Sequence, residues 1–148
     1  MSGDTLLLAN LCSTMFLAGL AWFLQLVHIP LMQRASRLEF TAFARMQRSR
    51  NTALMAPVMV IEAASGIGLW YHTPQGVSGA KIFWGAVLII VIWIVTLFRI
   101  IPLHSRLMDG YDDAAIGSLS RGNWIRTLCW TVRATLIIMI FAARGHAS

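Results

Sequence analysis

The stretch VMVIEAASGIGLW, residues 58–70, carries a single charged side chain, Glu62, in the middle of an apolar run. The run extends over residues 51–71, which is about the 20 residues that an α-helix needs to cross the hydrocarbon core of a bilayer. An apolar stretch of this length is typical of a spanning helix rather than of a buried helix in a soluble core. The stretch therefore predicts a membrane-spanning helix with a carboxylate near its middle.

Three further stretches have the same character. They are residues 5–29, 82–103 and 124–143. The arginines that they contain are Arg99, Arg126 and Arg133. Apolar residues make up 57% of the 148-residue chain and charged residues only 12%, about half the charged fraction of a typical soluble domain. We predict an all-α fold in which residues 1–148 form one domain, a polytopic four-transmembrane-helix bundle.

Loop charge predicts the orientation of the four helices. The connection QRASRLEFTAFARMQRSR, residues 33–50, holds five arginines and one glutamate, whereas HTPQGVSGAK, residues 72–81, holds one lysine. By the positive-inside rule the first and third connections are cytoplasmic, and both termini lie on the other side of the membrane. We predict a multi-pass protein of the cell (inner) membrane.

The first connection also carries a helix signal. Ser36 and Glu39 have the spacing of a capping box, and the residues that follow mix apolar side chains with arginines. This pattern predicts a cytoplasmic amphipathic helix that lies along the inner leaflet or runs on into the second span. The net charge of +6 comes largely from arginines beside apolar spans. The predicted partners of these arginines are therefore anionic lipid headgroups, and we predict no binding of nucleic acid.

Depth along the helices predicts a partner for Glu62. Counting about 1.5 Å per residue, Glu62 lies about 16 Å from Asn51, and Arg133 lies about 15 Å from Asn123. Both spans run in the same direction, so the two charges lie at matching depth, where an isolated charge costs about 2.5–3.5 kcal/mol. We predict an intramembrane ion pair between Glu62 and Arg133, which either fixes the helix register or holds Glu62 as a proton carrier or substrate contact.

Polar residues recur near the cytoplasmic ends of three spans. On the fourth span one face of the helix carries Asn123, Arg126, Trp130 and Arg133. On the third span Arg99 and His104 flank Pro102. Their common depth predicts a pocket open to the cytoplasm, with the ion pair at its floor. Its candidate catalytic residues are His28, His104, Asn123 and Arg126, and its further lining residues are Gln25, Arg99 and Trp130. In an enzyme, His28 or His104 would act as the base. Asn123 and Arg126 would stabilise an oxyanion.

We predict no cofactor for this pocket. His28 and His104 could ligate haem or a metal from facing helices, which leaves that alternative open. However, the chain contains no Cys-x-x-Cys-His, His-x-x-x-His or Glu-x-x-His sequence.

Three segments resemble a known family. They are WFLQLVHIPLM (22–32), IPLHSRL (101–107) and NWIRTLCWTVR (123–133). They resemble small four-helix membrane proteins of bacteria and fungi, mostly of unknown function, among which are the fungal anthrone oxygenases. Those enzymes oxidise polyketide anthrones without a recognised cofactor. The resemblance implies four helices around a pocket that includes His28, His104, Asn123, Arg126 and Arg133.

Three functions are open at this level. The pocket could bind or oxidise a lipophilic aromatic or quinone-like molecule, the latter as a cofactor-independent, oxygenase-like enzyme. The chain could instead be a non-catalytic accessory subunit that docks other membrane subunits. A third alternative is a small proton-coupled transporter that self-associates as a dimer around Glu62.

Overall fold

The computed structural model describes residues 2–74 and 76–145, and within this part the chain forms helices and no strand. The four long helices are α1 (Gly3–Gln33), α2 (Phe40–Tyr71), α3 (Gly79–Leu107) and α4 (Asp113–Gly145). Each is long and apolar enough to cross a membrane, which confirms the predicted all-α fold with four helices of spanning length. Helix α1 packs against α2 and α4, and α3 packs against α4 and less closely against α2.

The helices extend well beyond the apolar stretches that predict them. Helix α2 begins at Phe40, so the amphipathic segment is the first part of α2, and of the two predicted alternatives the one that runs on into the second span is confirmed. Nothing between Phe40 and Pro57 interrupts the backbone hydrogen bonds, so the helix continues. The capping box is wrong, because Glu39 precedes α2 without a side-chain capping bond and Ser36 lies exposed in the connection.

Helices α1 and α3 each contain a wide π-helical turn at the same end of the bundle. The turns are Leu24–His28 and Thr96–Ile100, and each is followed two residues later by a proline, Pro30 or Pro102. Proline has no backbone N–H, so it removes one helical hydrogen bond, and the wider turn accommodates the loss. A π turn also changes which side chains face the bundle interior, a shift that spacing alone does not predict.

The interior consists of three apolar clusters that follow one another along the bundle. The first cluster includes Ile29, Met32, Phe40, Ile100 and Leu119; the second includes Leu17, Leu24, Met55, Met59 and Trp130; the third includes Leu6, Leu7, Leu69, Ile137 and Ile140. Two glycines let the helices approach closely. A Cβ on Gly68 would lie 2.8 Å from Leu6 Cδ2, and one on Gly122 would lie 2.9 Å from Ile100 Cδ1.

The start of α4 is tied to the end of α3. The Asp112 carboxylate accepts a hydrogen bond from the Ala115 backbone N–H at 3.0 Å and forms an ion pair with Arg106 at 2.6 Å. The Ala115 hydrogen bond, followed by the Arg106 charge, holds the pKa of Asp112 below its usual range. This cap explains why α4 starts at Asp113, eleven residues before the predicted span.

Candidate functional site

Glu62 and Arg133 meet inside the bundle, between the second and third apolar clusters. The Arg133 Nε lies 3.1 Å from Glu62 Oε1. The exposed fractions of the two residues are 0% for Glu62 and 3% for Arg133. Polar side chains surround the pair, and we refer to the whole group as the ion-pair layer. Its members are Asn10, Thr14, Glu62, Ser65, Trp130 and Arg133.

Both carboxylate oxygens of Glu62 accept hydrogen bonds. Thr14 Oγ1 donates to Oε1 at 2.8 Å, and Arg133 Nε donates to the same oxygen at 3.1 Å. Trp130 Nε1 donates to Oε2 at 3.0 Å. Three donors from α1 and α4 thus converge on one carboxylate of α2. Charge-assisted hydrogen bonds of this kind are the strong ones in a low-dielectric interior.

The Arg133 guanidinium is satisfied as fully as the carboxylate. Its Nη2 donates to Asn10 Oδ1 at 3.0 Å, and its Nη1 donates to the Gly85 carbonyl oxygen of α3. Asn10 in turn donates to the Glu62 carbonyl oxygen and to Ser65 Oγ, both at 2.9 Å. All four helices therefore contribute to one polar layer, which fixes their register.

A separate cavity of about 190 Å³ lies at the junction of the first and second apolar clusters. All four helices line it. The lining is mainly apolar and includes Leu24, Ile29, Met55, Met59, Ile100 and Leu119. Its polar and basic side chains include His28, Gln47, Arg48, Trp93, His104, Asn123 and Arg126. Neither Glu62 nor Arg133 lines it, so the ion pair is not at its floor.

Arg126 is the most deeply buried basic side chain of the cavity. The residue is 4% exposed, and its Nη2 lies 3.9 Å from the Met55 sulfur. Its guanidinium carbon lies 4.8 Å from the centroid of the Trp130 ring. In the described part of the chain the ion pairs within 4.0 Å are Arg106–Asp112 and Glu62–Arg133, so Arg126 has no carboxylate partner there.

Four buried side-chain polar atoms within residues 2–74 and 76–143 make no hydrogen bond, and all four belong to residues that line this cavity. They are His28 Nε2, Gln47 Oε1, Trp93 Nε1 and Arg126 Nε. His28 and Gln47 lie close enough to interact with each other, whereas Trp93 Nε1 and Arg126 Nε have no acceptor. Buried polar groups in folded proteins are nearly always paired, so these two donors need an explanation.

Of the residues that the sequence assigns to the pocket, His28, His104, Asn123 and Arg126 line the cavity. The amide of Asn123 is nevertheless engaged, because it donates to the Ala21 carbonyl oxygen at 3.3 Å and lies 3.0 Å from the side-chain amide of Gln25. Asn123 therefore makes more hydrogen bonds within the protein than the histidine and arginine candidates do.

Gln25, Arg99 and Trp130 do not line the cavity, which corrects their assignment. Gln25 is buried against Ser120 and Asn123 of α4. The Arg99 side chain is exposed and lies against Gly122. Counting residues from the membrane boundary gives the depth of a side chain but not the direction in which it points, and these residues share only the depth.

Trp130 belongs to the ion-pair layer and lies between that layer and the cavity. Its indole N–H donates to Glu62, while Arg126 lies over its ring. One side chain of α4 therefore touches both polar regions.

Sequence reasoning missed Gln47, Arg48 and Trp93. The first two precede the apolar stretch of α2, in the segment that the sequence predicts as an amphipathic helix at the membrane surface, so they look like surface residues. Trp93 lies within a nearly unbroken apolar run, where nothing marks its indole N–H as facing inward. The available signal was the continuation of the helix back to Phe40, which places Gln47 and Arg48 about one turn before Asn51.

The cavity has an opening between α2 and α3. Thr52, Ala56 and Val60 of α2 line it and are exposed on the outside of the bundle, as are Leu97 and Ile101 of α3. These two helices are also neighbours that pack loosely. The opening therefore faces sideways, towards the surface that a bilayer would cover.

No protein-family model, no curated protein and no solved structure matches the chain. Among the described residues, no group of three or more His, Cys, Asp or Glu side chains is arranged to hold a metal ion.

Proposed function

We propose that the protein is a multi-pass protein of the inner membrane that binds a lipophilic small molecule in the cavity between its helices. The observation that carries this proposal is the concentration of unpaired polar atoms. Every buried side-chain polar atom without a hydrogen bond in the described residues belongs to the lining of one apolar cavity. A pocket with an apolar wall and a few convergent polar groups is the usual form of a small-molecule site.

Membrane insertion is supported by the outer surface of the bundle. Large aromatic side chains are exposed at the end opposite the cavity, as expected for an interfacial belt. They are Trp70, Tyr71, Phe83 and Trp84. The arginine-rich residues 34–50 lie at the cavity end, which supports a cytoplasmic location for that end; with four spans, both termini would then lie outside the cytoplasm. Anionic headgroups are then the neighbours of these arginines.

The sideways opening supports uptake from the bilayer. A ligand that enters between α2 and α3 passes only apolar or small side chains such as Ala56, Val60 and Leu97. A molecule that partitions into lipid would reach the cavity without crossing an aqueous phase.

The size and lining of the cavity suit an aromatic ligand. An apolar cavity of about 150 Å³ can hold benzene, so the volume of about 190 Å³ accommodates a small ring system. A ligand with one or two rings, such as a simple quinone, is of this size.

Oxidation of such a ligand by dioxygen, the co-reactant of a cofactor-independent oxygenase, is a second candidate function. It is favoured by the placement of His28 and His104 in the lining, where either imidazole could accept a proton from a bound ligand. The transporter and accessory-subunit alternatives have less support. Glu62 is 0% exposed and accepts its three hydrogen bonds inside the ion-pair layer, and it does not line the cavity, so it lacks the access to solvent or ligand that a proton carrier needs.

Binding can be tested with the full chain in nanodiscs of uncharged lipid. Titration calorimetry with 2-naphthoate and with neutral 2-naphthamide should give saturable binding of at least one of them, at one molecule per chain. Ala56→Phe, which fills the opening, should weaken binding by about tenfold or more, equivalent to about 1.4 kcal/mol.

Ala64→Phe is the matched control, because Ala64 is exposed on α2 and does not line the cavity. It should bind like the wild type. Absence of saturable binding for both compounds, or equal binding by Ala56→Phe and Ala64→Phe, would refute the proposal.

A further inference from the structure

We infer that the ligand of the cavity is an anion, an apolar body that carries one oxyanion, and that this group pairs with Arg126. The inference rests on the proposed function and specifies the chemical class of the ligand. The oxyanion is a carboxylate or a phenolate, two singly charged oxygen groups that occur on aromatic and aliphatic molecules.

The first step is the charge of Arg126 itself. A guanidinium does not lose its proton in proteins, so this side chain is a cation even though it is 4% exposed. Buried charges in proteins are normally paired, because removing an ion from water is costly. The partners present are the face of Trp130 and the sulfur of Met55, neither of which carries a negative charge.

Glu62 does not provide the missing charge. Its carboxylate already accepts from Thr14, Trp130 and Arg133, and its negative charge is neutralised by Arg133. Arg126 lies over the ring of Trp130, whereas the edge of that ring donates to Glu62. The cation–π contact contributes only about 0.5–2 kcal/mol, less than a paired carboxylate offers a buried cation.

The charged side chains that line the cavity are all positive. Among the described residues they are Arg48 and Arg126, and no Asp or Glu side chain lines the cavity. Arg48 donates to Ser105 Oγ at 3.0 Å and approaches the Met108 sulfur at 3.5 Å, again without a carboxylate. A low-dielectric cavity lined by one sign of charge attracts the opposite sign.

The unpaired donors match an oxyanion. Arg126 Nε and Trp93 Nε1 are both N–H groups without an acceptor, and a carboxylate or phenolate oxygen accepts several hydrogen bonds. Water could accept these hydrogen bonds, but it carries no charge and leaves the guanidinium unneutralised. The remainder of the ligand would lie against the apolar wall, including Leu24, Met55 and Met59.

The decisive experiment compares an acid with a neutral molecule of nearly the same shape. In wild-type protein in uncharged nanodiscs, 2-naphthoate should bind about tenfold to a hundredfold more tightly than 2-naphthamide, as expected for hydrogen bonds to a charged group. In Arg126→Gln this preference should disappear. Arg99→Gln is the matched control, because Arg99 lies near the same end but outside the cavity lining, and it should keep the preference.

The outcomes distinguish the inference from the function on which it rests. Equal affinity for acid and amide in the wild type, or an unchanged preference in Arg126→Gln, would overturn the anionic ligand but leave a neutral ligand possible. Saturable binding of neither compound would overturn the proposed function itself. A further titration with decanoate tests whether the apolar body is aliphatic or aromatic. Of decanoate and 2-naphthoate, the one that binds more tightly to the wild type and loses affinity in Arg126→Gln has the preferred body.

Discussion

Arg126 and Arg133 are two arginines of one helix, seven residues and about 10 Å apart, with nearly equal exposed fractions of 4% and 3%. Their surroundings differ completely. Arg133 has a carboxylate and acceptors from three other helices, whereas Arg126 has an aromatic face and a thioether sulfur. Burial alone therefore does not tell a structural charge from a ligand-binding one, and the supply of partners does.

The two regions also differ in what they require from outside the protein. In the ion-pair layer each charge and each amide has a partner, so the layer is stable without a ligand and specifies how the helices align. Around the cavity, polar atoms lack partners, and their desolvation is offset only when something binds. Sites that break the rule of satisfied polar groups are where function is expected.

The largest expected effect comes from breaking the ion pair. Arg133→Met leaves Glu62 charged and buried without its cation, so the free energy of unfolding should fall by about 3–5 kcal/mol. Denaturant unfolding in detergent micelles, followed by the loss of helical circular dichroism, measures this change.

The double variant Glu62→Leu with Arg133→Met is the control. It removes both charges, so it should recover much of the stability lost in Arg133→Met. If the double variant is as unstable as the sum of the two single variants, the pair is not energetically coupled and the layer is not the unit described here.

Trp130→Phe should have the next largest effect. The substitution keeps an aromatic ring beneath Arg126 but removes the N–H that donates to Glu62 Oε2 at 3.0 Å. A hydrogen bond to a charged group contributes about 1.5–3 kcal/mol, so unfolding should become easier by that amount. Binding of 2-naphthoate should change much less than stability. A large loss of binding without loss of stability would place Trp130 with the cavity instead of the ion-pair layer.

The sequence sufficed to predict the ion-pair partners because the problem is one-dimensional. Depth along a helix follows from residue count, and a carboxylate in the middle of an apolar run has few cations at its level. The same arithmetic underlies the four spanning-length helices. It did not reveal Asn10 or Thr14, because short polar side chains are common in membrane helices and carry no charge that demands a partner.

The cavity was harder to predict because it depends on the direction of each side chain around its helix. The π turns before Pro30 and Pro102 shift that direction, so Gln25 and Arg99 were assigned to a lining that they do not share. Trp93 and Gln47 were missed for the complementary reason, since only packing shows that their polar atoms are buried.

The smallest expected change in stability is also the sharpest test of the comparison. Arg126→Met removes a buried cation that has no carboxylate partner, so no anion is left stranded. The lost cation–π contact, about 0.5–2 kcal/mol, is opposed by the relief of an uncompensated charge, and the free energy of unfolding should change by less than about 1 kcal/mol. The same unfolding assay as for Arg133→Met measures it, with the exposed Arg99→Met as control. A loss as large as that of Arg133→Met would mean that Arg126 has an anionic partner within the protein, and the two arginines of α4 would then play the same structural role.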